Sequence, residues 1–237
     1  MCTVTFIAKG NDDFILTSNR DEIPERNTLG PQEYKEGNVK LIYPKDVLAG
    51  GTWIGVSEKS RLINLLNGGF EAHQRKASYR MSRGVVVKQL LVAENVIQEI
   101  KDFDFKDVEP FTIVLVDWSL GLKLFELVWD EQTKHFRELD LSNFIWSSSP
   151  LYSNEMKAKR QKWFSDFVQK NKLSAAQLFH FHHTAGEGNK MTDFIMDRGF
   201  IKTVSITQVE KSGDRVKVIY KDLKKEKEIE IENKPSS

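Results

Sequence analysis

Cys2 stands directly behind the initiator methionine and is the only cysteine of the chain. Cysteine is small, so removal of Met1 by an aminopeptidase is expected, leaving one residue with both a thiol and a free α-amine. Such an amine titrates at about 7.7–8.0 and the thiol at about 8.5, which puts a nucleophile and a matched base in one place. Asn19-Arg20-Asp21-Glu22 is a dense polar run further along. An arginine near a thiol lowers its pKa, and an aspartate can hold an α-ammonium and accept its proton. Asn67 could donate to a developing oxyanion, although locally an ordinary Asn-Gly turn is the better reading of Asn67-Gly68.

These residues need elements to carry them. Cys2 to Ala8 is rich in β-branched residues and ends at the turn signal Gly10-Asn11-Asp12-Asp13, with Phe14 to Ser18 as its hairpin partner. Two antiparallel strands joined at residues 10–13 bring Asp21 back towards Cys2 and set Asn19-Arg20-Asp21-Glu22 at the strand end. Pro24 and Gly30-Pro31 predict an irregular segment. Gly50 to Ser57 and Arg61 to Asn67 read as a second hairpin, and Val85 to Lys101 as one helix with apolar residues at helical spacing. Strands follow at Phe111–Trp118 and Leu122–Trp129, with shorter ones at 135–139 and 144–146. Helices are predicted from Glu155 to Asn171, with Met156, Trp163, Phe164 and Phe167 on one side, and from Leu173 to His182, capped at Ser174. Three strands close the chain. Strands at both ends with helices between them predict one α+β domain over residues 1–232, and a disordered tail over 233–237.

Two further motifs invite chemistry. Gly50-Gly51-Thr52-Trp53-Ile54-Gly55 lacks dinucleotide-loop spacing and a P-loop lysine, so close backbone approach is the better reading of its glycines. His180, His182 and His183 suggest a metal or haem. On a helix, however, the first two diverge by about 200° and cannot chelate together. No metal site is expected.

Composition narrows the classes. The 237 residues are 40% hydrophobic, with 15 Phe and 5 Trp, enough for a packed core. A net charge of +1 gives no support to bulk electrostatic binding of nucleic acid or anionic membranes. One cysteine makes no internal disulfide and suits a reducing compartment. Neither a signal peptide nor an apolar stretch near the roughly 20 residues of a membrane span is present, so a cytoplasmic protein without stable membrane insertion is expected.

Met1-Cys2-Thr3, Asn19-Arg20-Asp21-Glu22, Gly50 to Gly55, Ser82-Arg83-Gly84 and Thr203-Val204-Ser205 together resemble the NRDE family, which includes the eukaryotic transport-and-Golgi-organisation-2 proteins. That family is similar in turn to the N-terminal-nucleophile (Ntn) hydrolases, near the cysteine acylases of penicillin V and bile salts. The resemblance implies a four-layer αββα sandwich of two antiparallel sheets between helical layers. It also implies roles. Cys2 matches the nucleophile, Asp21 the aspartate that orients its amine, Arg20 the neighbouring arginine and Asn67 the oxyanion asparagine. The acylase arginine stands three residues before the aspartate, whereas here it is adjacent. The second acylase asparagine falls in a segment like 146–150, where this chain has Ser148 and Ser149, and the late arginine falls near Arg198 or Lys202. Asn19, Trp53, Ser148 and Arg198 complete the expected substrate-binding set.

The activity so implied is hydrolysis of a linear amide or related acyl bond in a small molecule, without a cofactor. The alternative is a non-catalytic carrier of haem or acyl-type lipids on the same scaffold, since eukaryotic relatives are linked to haem trafficking and lipid metabolism.

Overall fold

The computed structural model describes residues 2–233, which form two antiparallel sheets and four helices. The chain divides into two compact units. One comprises the residues up to Glu25, Ser142–Ser147 and those from Leu151 onward; the other comprises Arg26–Leu141 and Ser148–Pro150.

The first unit carries a six-stranded sheet. Strands β1 (Cys2–Gly10) and β2 (Asp13–Glu22) pair as the expected hairpin, with Cys2 opposite Arg20 and Thr3 opposite Asn19. Later strands are β10 (Phe144–Ser147), β11 (Lys202–Ser212), β12 (Arg215–Asp222) and β13 (Lys227–Asn233). Their order is β10-β1-β2-β11-β12-β13. Asn233 thus closes a strand, and residues 234–237 of the expected tail lie outside the described residues. Helices α3 (Asn154–Lys170) and α4 (Ala175–Thr184) belong to this unit. Phe164, Leu178, Phe181 and Phe194 form a core with Ile7 of β1 and Ile15 of β2, so one face of the sheet is covered by helix. Ser174 caps α4, its hydroxyl accepting from the Gln177 N–H at 3.3 Å.

The second unit carries a seven-stranded sheet in simple sequence order: β3 (Thr28–Glu36), β4 (Val39–Asp46), β5 (Ile54–Ser57), β6 (Arg61–Asn67), β7 (Phe111–Asp117), β8 (Lys123–Trp129) and β9 (Lys134–Leu139). The segment expected to be irregular is the β3–β4 hairpin. Tyr34 and Tyr43 stack across it at 4.2 Å, and the pairing register shifts between Leu29 and Gln32, where Gly30-Pro31 lies. A bulge on an edge strand is where a sheet tolerates proline, so the breaker signal marked a bulge and not a loop.

The single helix expected over Val85 to Lys101 is two: α1 (Arg83–Val92) and α2 (Val96–Asp102). Asn95 starts the second by accepting from the Gln98 N–H at 3.0 Å. The buried Arg61 guanidinium takes the end of the first, donating to the carbonyls of Leu90, Ala93 and Glu94 at 3.3, 2.7 and 3.4 Å. A periodic apolar pattern does not register a break whose carbonyls are satisfied from another strand.

The strand expected from Gly50 begins only at Ile54. Gly50 has φ +67°, and the turn is closed by Asp46 N–H to Gly51 C=O and Gly50 N–H to Asp46 C=O, both at 2.9 Å. At Gly51 the backbone meets α1: a Cβ there would lie 2.4 Å from the Gly84 carbonyl carbon. Close backbone approach is therefore what these glycines permit. No helix among the described residues is long and apolar enough to cross a membrane.

Candidate functional site

Alternation along β1 and β2 sorts the polar residues by face. Directly opposed residues in an antiparallel pair share a face, and successive ones alternate. Cys2 therefore shares a face with Arg20 and Ser18. Asp21, Asn19 and Thr3 point to the other face, which is the one that α3 and α4 cover. The Asn19–Glu22 run is not a solvated turn. It lies inside β2, an internal strand, with Asn19 and Asp21 fully buried and Arg20 only 3% exposed. Buried polar groups are expensive unless partnered, and each of these is held.

On the thiol face, Cys2 is buried. Burial pushes its thiol above the ordinary range and the Asp21 charge adds to this, while Arg20 and the Ser18 hydroxyl oppose it. Arg20 also pairs with Glu22 at 3.5 Å. A thiol kept protonated near neutral pH needs a base to become a nucleophile.

On the helix-covered face, Asp21 receives two hydroxyls. Tyr152 donates to Oδ2, and Thr203, its partner on β11, donates to Oδ1 at 2.7 Å. Burial raises the Asp21 pKa, and the positive charge of Arg160 and these donors pull it back. Arg160, on α3, is fully buried. It donates to the Thr3 hydroxyl, to the Thr192 carbonyl at 3.0 Å and to the Asp193 carbonyl at 2.6 Å. Its guanidinium lies 3.8 Å from the centre of the Tyr152 ring, a cation–π stack. Burial and the Asp21 charge keep the Tyr152 phenol protonated, as a donor must be. Tyr152, Arg160 and Thr203 were not among the residues expected from the sequence to form the site.

Asn19, expected at the substrate, has its side chain hydrogen-bonded in the interior. Its amide nitrogen donates to the carbonyls of His182 and Phe194 at 3.0 and 2.9 Å, and its oxygen meets His182 Nδ1 at 2.7 Å. With its amide engaged in the interior, Asn19 ties α4 to the sheet. His182 Nε2 is in turn 2.7 Å from the Thr5 hydroxyl, and burial pushes the imidazole pKa down to about 3. With both ring nitrogens engaged, His182 is a neutral structural group and has no lone pair to offer an iron or other ligand. His180 and His183 face solvent. No three His, Cys, Asp or Glu groups among the described residues gather as a metal site would require.

Arg198 donates to the carbonyls of Leu151 and Met191 at 3.0 and 2.9 Å and lies 5.7 Å from the Tyr152 ring, at the edge of the same network. The other predicted residues belong to the second unit. Asn67 ends β6, half-buried and opposite Phe111. Gly68 follows at φ +82°, so close to Ser149 and Pro150 that a Cβ would lie 2.3 Å from Ser149 Oγ. This brings the 148–150 segment beside Asn67, and Ser149 donates to the Glu71 carbonyl at 2.9 Å. Ser148 is buried there. Trp53 is buried at the entrance to β5, its carbonyl accepting from the Leu65 N–H at 2.7 Å.

Comparison with known proteins identifies the family and the fold. Residues 1–222 match the family model of Transport and Golgi organisation 2 (TANGO2), and the chain belongs to that family. No curated protein sequence matches it. Solved structures do. Penicillin V acylase from Agrobacterium tumefaciens aligns with a TM-score of 0.58 and 10% identity, over 98% of this chain and 86% of that one. A mutant of conjugated bile acid hydrolase from Clostridium perfringens aligns with a TM-score of 0.61 and 8% identity, over 98% and 92%. The Caenorhabditis elegans orthologue of N-acylethanolamine-hydrolyzing acid amidase aligns with a TM-score of 0.59 and 9% identity, over 87% and 92%. At such identities the likeness establishes the fold, which is Ntn-hydrolase-like as the sequence led us to expect.

Proposed function

We propose that this member of the Transport and Golgi organisation 2 family is an N-terminal-nucleophile cysteine hydrolase, acting on a linear amide or related acyl bond once Met1 is removed. In this reading the Cys2 α-amine takes the thiol proton and sulfur attacks the substrate carbonyl carbon. The carbonyl π electrons move to oxygen, giving a tetrahedral oxyanion. A backbone N–H is assigned to that oxyanion, and the family resemblance alone adds Asn67. Collapse of the intermediate breaks the acyl C–N bond, and the α-ammonium returns its proton to the leaving nitrogen. Water, deprotonated by the same amine, then attacks the thioester. The acid is released and the thiol regains its proton.

The observation that carries the reading is the Cys2–Arg20 pairing with buried Asp21 one position further along β2. That register supports a carboxylate close to the start of β1, where the α-amine of a mature Cys2 would be. The raised thiol pKa agrees with a route in which the thiol is neutral at rest and deprotonated only during attack. The test is an acyl trap: the purified protein is incubated with p-nitrophenyl esters of increasing chain length and any adduct is located by mass. A single acyl group on Cys2, absent in a folded Cys2→Ala protein, is expected. Nitrophenolate release by Cys2→Ala at the rate of the unaltered protein would overturn the reading.

A further inference from the structure

Arg160 and Tyr152 have no part in the chemistry just described, yet they make one of the most tightly connected groups in the first unit. Arg160 lies on the apolar stripe of α3 and is fully buried. For packing alone an apolar residue would serve that position as well, because burying a guanidinium carries a large desolvation penalty. Its contacts point to two places. One is the Thr3 hydroxyl, on the residue that follows the nucleophile. The other is the Tyr152 ring, whose hydroxyl donates to Asp21.

We propose that Tyr152 and Arg160 are positioning residues for Asp21. Arg160 braces the start of β1 through Thr3 and aims the Tyr152 phenol, so that Asp21 stays ionised and directed at the α-amine of Cys2. The proposal rests on the hydrolase reading above for the role of that amine. An ionised carboxylate accepts at about four lone-pair sites, so it can hold an ammonium together with hydroxyl donors. The direction of each effect agrees, since the Arg160 charge and the Tyr152 hydrogen bond both favour the ionised carboxyl against burial.

The other groups near Asp21 do not duplicate this work. Thr203 on β11 donates but carries no charge. Lys202, beside it, is paired with Asp197 at 3.0 Å. His182 on α4 is neutral, and on β2 itself Arg20 points to the opposite face and pairs with Glu22. Asp193, in the loop under Arg160, contributes its carbonyl to the guanidinium.

The test compares the unaltered protein with Tyr152→Phe, Arg160→Lys and Arg160→Met by two readouts. One is the rate of Cys2 acylation by p-nitrophenyl acetate from pH 5 to 9. The other is the titration of the Asp21 carboxyl carbon by NMR, assigned with Asp21→Asn. Tyr152→Phe removes a single oxygen and is expected to fold. Its acid limb should move to higher pH, with about a tenfold loss of rate at pH 6 for each pH unit that the limb moves and little loss at pH 9. Arg160→Met should move the limb further and Arg160→Lys should recover part of it. A uniform loss at every pH, with the Asp21 titration unmoved in Tyr152→Phe, would overturn the proposal. If the unaltered protein takes no acyl group, the hydrolase reading falls by itself. The Asp21 titration then decides whether Tyr152 and Arg160 control that carboxyl: an upward move supports the control, an unchanged value refutes it.

Discussion

His182 makes the stability of this protein depend on pH in a way that can be worked out in advance. The ring is fully buried, with Nδ1 2.7 Å from Asn19 Oδ1 and Nε2 2.7 Å from Thr5 Oγ1. Burial, with a smaller contribution from the Arg160 charge, pushes its pKa down to about 3. In the unfolded chain it returns to about 6.5. Because the folded value is the lower, the unfolded state binds the proton first on acidification. The stability contributed by neutral His182 is therefore complete above pH 6.5 and is lost as pH falls towards 3. The slope is about 1.4 kcal/mol per pH unit, so roughly 2 kcal/mol disappears between pH 6.5 and 5. That is a large share of the 5–15 kcal/mol typical of a folded domain. Asp21, whose pKa is raised, works in the opposite direction on acidification, so the effect must be isolated by comparison. Urea unfolding of the unaltered protein and His182→Gln at pH 7.5, 6.5, 5.5 and 5.0 does this. His182→Gln should be the less stable at pH 7.5, having disturbed two buried hydrogen bonds. The gap should shrink by about 2 kcal/mol at pH 5. A gap that stays constant across that range would refute the assignment of His182 as a buried neutral ring.

Two further substitutions test the elements that hold the site. Gly51→Ala drives a methyl into the backbone of Gly84 at the start of α1, and thermal and urea unfolding should record a loss of at least about 1–3 kcal/mol. Ser174→Ala removes the side-chain cap of α4, the helix that carries His182, and should cost about 1 kcal/mol by the same measurements, with the slope of the urea transition unchanged.

The legible parts of the sequence were those with local grammar. The β1–β2 hairpin declared itself by β-branched residues around a Gly-Asn turn, and α4 by its Ser174 cap; both are found as expected. The helix break at residues 93–95 was hidden, because the group that stabilises it, Arg61, sits on a strand some thirty residues earlier. The β3–β4 hairpin was hidden by Gly30-Pro31, whose accommodation in a bulge depends on a partner strand. Cys2, Asp21 and Arg20 were visible by type and spacing. Tyr152 was not, since a lone tyrosine ahead of a helix carries no signal. Arg160 does carry one: with Met156, Trp163, Phe164 and Phe167 it lies on the buried stripe of α3, and a charged residue in an apolar stripe is already a reason to look for its partner. Asn19 was ambiguous for a related reason. Its type fits either role, and only the carbonyls of His182 and Phe194 reveal which it fills.

If Cys2 is the nucleophile proposed above, the division of the sheet into faces limits how it can be activated. Its thiol lies on the face of Arg20 and Ser18, whereas Asp21 lies on the face of Thr3 and Asn19. A carboxylate on one side of a sheet cannot take a proton directly from a thiol on the other. On the hydrolase reading proposed above, the group that joins them is the main-chain nitrogen of Cys2, at the start of the strand. Only as a free amine can that nitrogen act as a base; as a peptide N–H it cannot. Reactivity should therefore depend on the end of the chain more than on any side chain other than Cys2 itself. A protein with one lysine inserted ahead of Cys2 retains its initiator methionine and keeps every side chain. It should unfold at the same temperature as the unaltered protein yet acylate at least about a hundredfold more slowly, the lower range of what a positioned base contributes. Intact mass establishes the state of the terminus in each preparation. Equal acylation rates, or turnover by preparations that carry Met1 throughout, would show that the amine is not the base and that Asp21 serves some other purpose.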